Sequence, residues 1–245
     1  MTENRAAIRS EFVDIPQAGE STLRGYLATP TTPGPHAALL VLQEIFGVNA
    51  HIRDICDRFA AAGYVTLAPT LFHRLPGAGA SYEGRYDEVP ANIALAMKLD
   101  PAGVTRDLRA AHAYLAGHAA VHAAHIGALG FCMGGRLAYL ANAQLPLAAA
   151  VSYYGGVPAE LLPLAAQQHG PILLYWAGKD GYIPTEQHRA LADALRKAGK
   201  PFVDVEFSDV DHGFYCDARG SYDRAAATQS HALTLAFLST FLTPA

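Results

Sequence analysis

Apolar positions along this chain change period in an orderly way. Residues 8–13 and 22–28 alternate, or favour β-forming side chains, around the turn Pro16-Gln-Ala-Gly19, which predicts an antiparallel hairpin at a sheet edge. His36-Ala-Ala-Leu-Leu-Val-Leu42 is instead a near-continuous apolar run, as expected of a strand covered on both faces. Ile52, Ile55, Cys56 and Phe59 then recur at helical spacing, and Gly63 is a good stop. Tyr64–Ala68 reads as a short strand. Residues 70–85, with Pro76, Gly77, Gly79 and Gly84 and no periodicity, read as a long loop of the kind that forms lids or site walls.

The same alternation continues to the end of the chain. Pro90 opens a helix to Lys98, and Leu108, Ala111, His112 and Leu115 mark another that Gly117 ends. A strand, a tight bend and a helix span 126–143. Strands follow at Leu147–Tyr153, Pro171–Ala177 and Phe202–Phe207, with helices at 158–168, Thr185–Ala198 and about Asp223 to Leu242. The last helix carries Leu233, Phe237 and Phe241 on one face. Strands alternating with helices predict an α/β fold: a mostly parallel central sheet flanked by helices on both faces, with the N-terminal antiparallel hairpin added. No repeat or linker interrupts the pattern, so a single domain over 1–245 is expected.

Composition narrows the function classes. Hydrophobic residues make up 51% and charged ones 16%, enough for a sizeable core. The net charge of −4 is spread without a basic block, which argues against nucleic acid as a partner. No apolar run reaches the ~18–20 residues of a membrane span, and the polar start lacks a signal-peptide core. Cys56, Cys132 and Cys216 have no metal-ligand spacing and are odd in number. A cytoplasmic monomer or small homo-oligomer is expected.

The chemistry concentrates on loops that follow strands, where open α/β sheets collect functional groups. Gly130-Phe-Cys-Met-Gly134 is a G-x-C-x-G bend between strand and helix. A nucleophile there is lifted clear of the sheet, and the following helix presents its positive end to the sulfur, which favours thiolate. The alternative is an ordinary buried cysteine. Asp180, in Gly178-Lys-Asp-Gly-Tyr-Ile-Pro184, either orients an imidazole or merely turns the chain with Gly181. His212, in Asp211-His-Gly-Phe214, is the histidine of the eleven that is placed as a base; nine others on helices or generic loops, His51 among them, read as solvated or packing residues. Nucleophile, acid and histidine, in that order and each after its own strand, follow the chain order of an α/β-hydrolase triad. One oxyanion donor is expected from the N–H of Met133 and the other from residues 43–49, by position Ile45. Glu44 beside it is either a second base for the thiol or one half of a structural salt bridge to Arg53, Arg74 or Arg136.

Gln43-Glu-Ile-Phe-Gly-Val-Asn49, Gly130-Phe-Cys-Met-Gly-Gly135, Gly178–Pro184 and Asp211-His-Gly-Phe214 together resemble the dienelactone hydrolase (carboxymethylenebutenolidase) family, from about residue 10 to 242. The resemblance implies an α/β-hydrolase fold, a Cys132–His212–Asp180 triad, and Glu44 as the glutamate that contacts and activates the cysteine. It implies N–H donors at Ile45 and Met133 and hydrolysis of an enol lactone through an acyl-cysteine, without metal or organic cofactor. Two departures bear on substrate. The family grips a substrate carboxylate with arginines, one a few residues after the histidine; here that place holds Phe214-Tyr-Cys-Asp217, and the nearest arginine is Arg219. Arg85 in the long loop is the other candidate anchor, or a solvated charge, and Asn49 and Tyr154 are candidate pocket residues. The family often has Asp where this chain has Thr70, a position expected to be structural. The expected partner is a small lactone or ester. A broader carboxylesterase or thioesterase, or a non-catalytic binding protein of this fold, are the competing readings.

Overall fold

The computed structural model describes residues 7–17 and 22–242. The chain divides into two compact units, Met1–Ile126 and Gly127–Ala245.

In the first unit, β1 (Ile8–Ile15) and β2 (Leu23–Pro30) pair antiparallel, from Ile8 opposite Pro30 to Ile15 opposite Leu23. The expected turn between them lies partly outside the described residues. β3 (His36–Leu42), α1 (Ala50–Ala61) and β4 (Val65–Pro69) follow, giving the order β1-β2-β4-β3 with β3 and β4 parallel. Burial explains the two sequence textures: β1 is largely exposed, whereas Ala38–Leu42 of β3 is sealed. Helix α1 buries Ile52, Ile55, Cys56 and Phe59, and Asn49 caps it by accepting the Ile52 N–H at 3.2 Å. Thr70, just past β4, donates its N–H and hydroxyl to the Arg24 carbonyl (2.8 and 3.0 Å), a structural role.

The long loop leads into α2 (Val89–Ala96) and α3 (Pro101–Ala116) and is tied down by polar contacts. Gln43 accepts the Leu71 N–H at 3.1 Å, and the Gly84 N–H donates to Phe46 O at 3.0 Å. Asp107 on α3 is 1% exposed and receives Arg74 through two contacts (2.6 and 2.7 Å), Gln17 at 2.6 Å and His73 at 3.0 Å. Burial alone would raise this carboxyl; the donors from His73, Gln17 and Arg74 more than offset it and hold Asp107 below the usual carboxylate range.

β5 (Val121–Phe131) carries the chain across the division. It begins earlier than its apolar run, because half-buried His122 and His125 and exposed alanines continue the strand. In the second unit, α4 (Met133–Gln144), β6 (Ala149–Tyr153), a 3-10 helix (Ala159–Gln167), β7 (Ile172–Ala177), α5 (Thr185–Lys197), β8 (Phe202–Phe207) and α6 (Arg224–Leu242) follow. β5, β6, β7 and β8 are parallel neighbours in that order. The helix expected at 158–168 is of the tighter 3-10 kind, and Pro163 inside it has no N–H for an α ladder.

Helix α6 leaves two large apolar side chains exposed. Leu233 and Phe241 do share a face with Phe237, yet they are 38% and 41% exposed. The helix buries Ser230, Thr234, Phe237 and Leu238 instead. The polar pair goes inward because the Tyr153 and Tyr175 hydroxyls lie 2.7 and 3.1 Å from Thr234 Oγ1, and Tyr175 donates to Ser230 O at 2.8 Å. Buried phenols need partners, so they decide which side of the helix faces them. Among the described residues, no helix is long and apolar enough to cross a membrane.

Asp107→Ala leaves half-buried Arg74 and the buried side chain of His73 without their acid. The expected cost is about 3–5 kcal/mol, a Tm fall of roughly 10 °C in thermal denaturation at neutral pH. Because the folded carboxyl lies low, its contribution is present above the ordinary carboxylate range and is lost as pH falls. Wild type and variant should therefore converge in acid, and an unchanged Tm at neutral pH would contradict the assignment.

Candidate active site

Cys132 sits where β5 turns into α4, at φ 55° and ψ −117°. That conformation costs a non-glycine residue on the order of 1–3 kcal/mol and persists only where the surroundings impose it. Here they do. The Cys132 N–H donates to Tyr153 O at 3.0 Å, and the Cys132 carbonyl accepts the N–H groups of Gly135 (3.0 Å) and Arg136 (3.3 Å). Gly130 is required because a Cβ there would run into the carbonyl of Gly134. Gly135 is required in the same way: a Cβ would meet the Ser152 hydroxyl and Tyr153 O, each at 2.8 Å. No side chain caps the first turn of α4, so its free N–H groups and positive end are left beside a half-buried free thiol.

The loops after β7 and β8 bring up the other two groups. Backbone bonds from Gly178 to Phe207 O (2.8 Å) and from Lys179 to Val210 O (2.9 Å), with a Lys179–Asp209 ion pair, stitch these loops together. Asp180 Oδ1 accepts the N–H groups of Tyr182 (2.8 Å) and Ile183 (2.9 Å), and Oδ2 lies 2.7 Å from His212 Nδ1. Both side chains are sealed from solvent. Asp180 thus holds the turn through Oδ1 and bonds the His212 ring through Oδ2. Burial alone would push the His212 imidazole down. Its hydrogen bonds to Asp180 and Cys132, and their negative charge, win and push it up to about 10. Cys132, His212 and Asp180 thus meet in hydrogen-bonding order within the second unit.

Three neighbours of His212 had no such assignment from sequence. Gly213 has φ 86°, and a Cβ on it would strike the guanidinium of Arg219, so that arginine lies across the peptide following the imidazole. Tyr182 is 56% exposed and meets His212 edge-on at 5.2 Å. Tyr154, expected on a pocket wall, is wholly buried, with its ring 4.9 Å from His212. Tyr182 belongs to the Gly178–Pro184 motif, which was a usable signal; nothing local marks the contacts of Arg219 or Tyr154.

In the first unit, Glu44 and Ile45 lie just past the end of β3, and Glu44 is 1% exposed. A Glu44 carboxylate oxygen and a ring nitrogen of His51, which is also buried, lie within 4.8 Å. Two of the arginines considered as its partners have acids of their own: Arg53 holds Glu83 at 2.6 Å and Arg74 holds Asp107. Asn49, besides capping α1, donates to the Tyr86 hydroxyl at 3.0 Å. Arg85 is exposed and forms a fork with Asp87 (2.6 and 3.0 Å), with Glu88 at 3.6 Å.

Residues 23–242 match the family model described as "Dienelactone hydrolase family". A Synechocystis protein named "Putative carboxymethylenebutenolidase" is 33% identical over 233 residues, covering 91% of this chain and 93% of its own. An Escherichia coli K12 protein of the same name is 34% identical over 238 residues, covering 90% and 83%. The crystal structure of a "Putative Dienelactone Hydrolase" from Klebsiella pneumoniae superposes with a TM-score of 0.87 at 32% identity, covering 96% of this chain and all of that one. The elements, their order and the elbow agree with the α/β-hydrolase class expected from the alternating pattern, and the chain belongs to the dienelactone hydrolase family.

Proposed function

We propose that this chain hydrolyses lactones or esters through an acyl-cysteine formed on Cys132. The observation that carries the reading is the unbroken run of contacts from Asp180 to His212 to Cys132. In the resting site the His212 imidazolium faces the sulfur, and Asp180 holds the imidazole by Nδ1, which leaves Nε2 for the reaction. The sulfur attacks the substrate carbonyl. The oxyanion is received by the N–H of Met133 and, following the family resemblance, by that of Ile45. The carbonyl–oxygen bond breaks, and the departing enolate or alkoxide takes the proton from His212.

The second half-reaction follows from the same electrostatics. Once the sulfur is acylated it carries no charge, so one of the two interactions that kept His212 protonated is gone. The neutral imidazole then draws a proton from water, hydroxide equivalent adds to the thioester carbonyl, and thiolate leaves. The role of Glu44 as activator of the cysteine rests on the family resemblance.

Substrate breadth is the second reading. The Arg85 charge is answered by Asp87 and Glu88, and no arginine stands among Phe214–Asp217. These observations favour a carboxylesterase or thioesterase of wider scope over an enzyme restricted to a carboxylate-bearing dienelactone.

Cys132→Ala should lower kcat/KM on every hydrolysed ester or lactone by at least about a thousandfold; turnover that survives would remove the nucleophile. Glu44→Gln should slow acylation about tenfold to a hundredfold in single-turnover assays, and an unchanged rate would leave that residue a structural part only. In NMR titrations the His212 ring should stay protonated through neutral pH and drop towards ordinary values in Asp180→Asn. Since the folded value is the higher one, the stability it brings is whole below pH 6.5 and is lost as pH climbs through about 10. A kcat/KM panel of lactones and esters, with and without a carboxylate, separates the two substrate readings: selectivity for the carboxylate-bearing members would exclude the broader one.

A further inference from the structure

Among the described residues, Cys132 and Tyr154 are the non-glycine residues held at positive φ, and both border His212. Tyr154, at φ 39°, follows β6 directly and precedes Gly155-Gly156. A glycine would take this twist without cost, so the retained side chain needs a reason. The backbone supplies the constraint: the Tyr154 N–H donates to Tyr175 O at 2.8 Å, while the preceding carbonyl, Tyr153 O, takes the Cys132 N–H. Two adjacent residues thus pin the nucleophile's backbone and turn a ring towards the base. That ring lies 4.9 Å from the imidazole at 57°, is backed edge-on by Phe214 at 5.3 Å, and has no solvent-accessible surface.

His212 needs such a support. Asp180 holds Nδ1, but the bond to Cys132 is given up whenever the sulfur is acylated, and an imidazole then tethered at one atom swings about that bond, which moves Nε2 away from the reacting carbon. The other ring contact, Tyr182, is exposed on a loop. We propose that Tyr154 is a positioning residue for the Cys132–His212 pair: its buried ring, held by a strained backbone, fixes the plane of the imidazole so that one nitrogen faces Asp180 and the other the sulfur. This rests on the reading of Cys132 and His212 as the reacting groups.

The experiment compares Tyr154→Leu, Tyr154→Gly and Tyr154→Phe with wild type. It measures kcat and KM on an ester the enzyme turns over, the pH dependence of Cys132 alkylation by iodoacetamide, and the His212 ring titration by NMR. Leu and Gly should lower kcat about tenfold or more with KM changed by less than about threefold. They should also shift the alkylation profile upward by about one pH unit, as expected when the imidazolium no longer faces the sulfur. Phe should recover most of the loss, since the ring and not the hydroxyl does the positioning. Gly suits the positive φ, so it keeps the test open if Leu fails to fold. A folded Gly or Leu variant with wild-type kcat and alkylation profile overturns the proposal, as does a Phe variant as impaired as Leu. The His212 titration needs no turnover. If Cys132→Ala retains hydrolysis, the catalytic reading fails by itself, and the ring titration still reports whether Tyr154 orients the imidazole.

Discussion

A buried hydrogen bond between Asp180 and His212 is the interaction on which the arrangement around Cys132 depends. A carboxylate and an imidazolium removed from water are costly unless each lone pair and proton is used. Asp180 meets that condition with two backbone N–H groups on one oxygen and His212 on the other. The loop geometry after β7 is therefore part of the electrostatics: Tyr182 and Ile183 donate because the chain turns sharply at Gly181. With the carboxylate so held, the imidazole keeps its charge despite burial, and the sulfur faces a cation.

The elbow and the end of β6 form one interlocked block. Gly130 admits the carbonyl of Gly134, and Gly135 admits Ser152 and Tyr153. In return, Tyr153 fixes the strained Cys132 backbone, and its hydroxyl bonds Thr234 of α6. Strain at Cys132 is thus supported by packing several elements away.

The first unit applies the same economy to its loops. Gln43 beside Glu44 is spent on Leu71, and Asn49 on both α1 and Tyr86. The long loop, which looks free in sequence, is anchored through His73 and Arg74 to a single buried acid on α3. The Glu44 carboxylate has buried His51 nearby, a histidine whose helical position gave no hint of that neighbour.

Much of this was legible in the chain itself. Continuous apolar runs marked the covered strands, helical spacing marked α1 and α5, and glycines around Cys132 marked the bend, because each depends on a few consecutive residues and on steric rules that act locally. The order cysteine, acid, histidine was visible for the same reason: parallel strands deliver each following loop to the same end of the sheet. What the chain could not reveal were contacts between residues far apart in sequence. That Ser230 and Thr234 of α6 turn inward was decided by two phenol hydroxyls on β6 and β7. The burial of Tyr154 against His212, the guanidinium of Arg219 across Gly213 and the donors around Asp107 likewise exist only once strands have paired and loops have closed. Local pattern chooses elements; the satisfaction of buried polar groups, which needs partners from elsewhere in the chain, chooses how side chains meet.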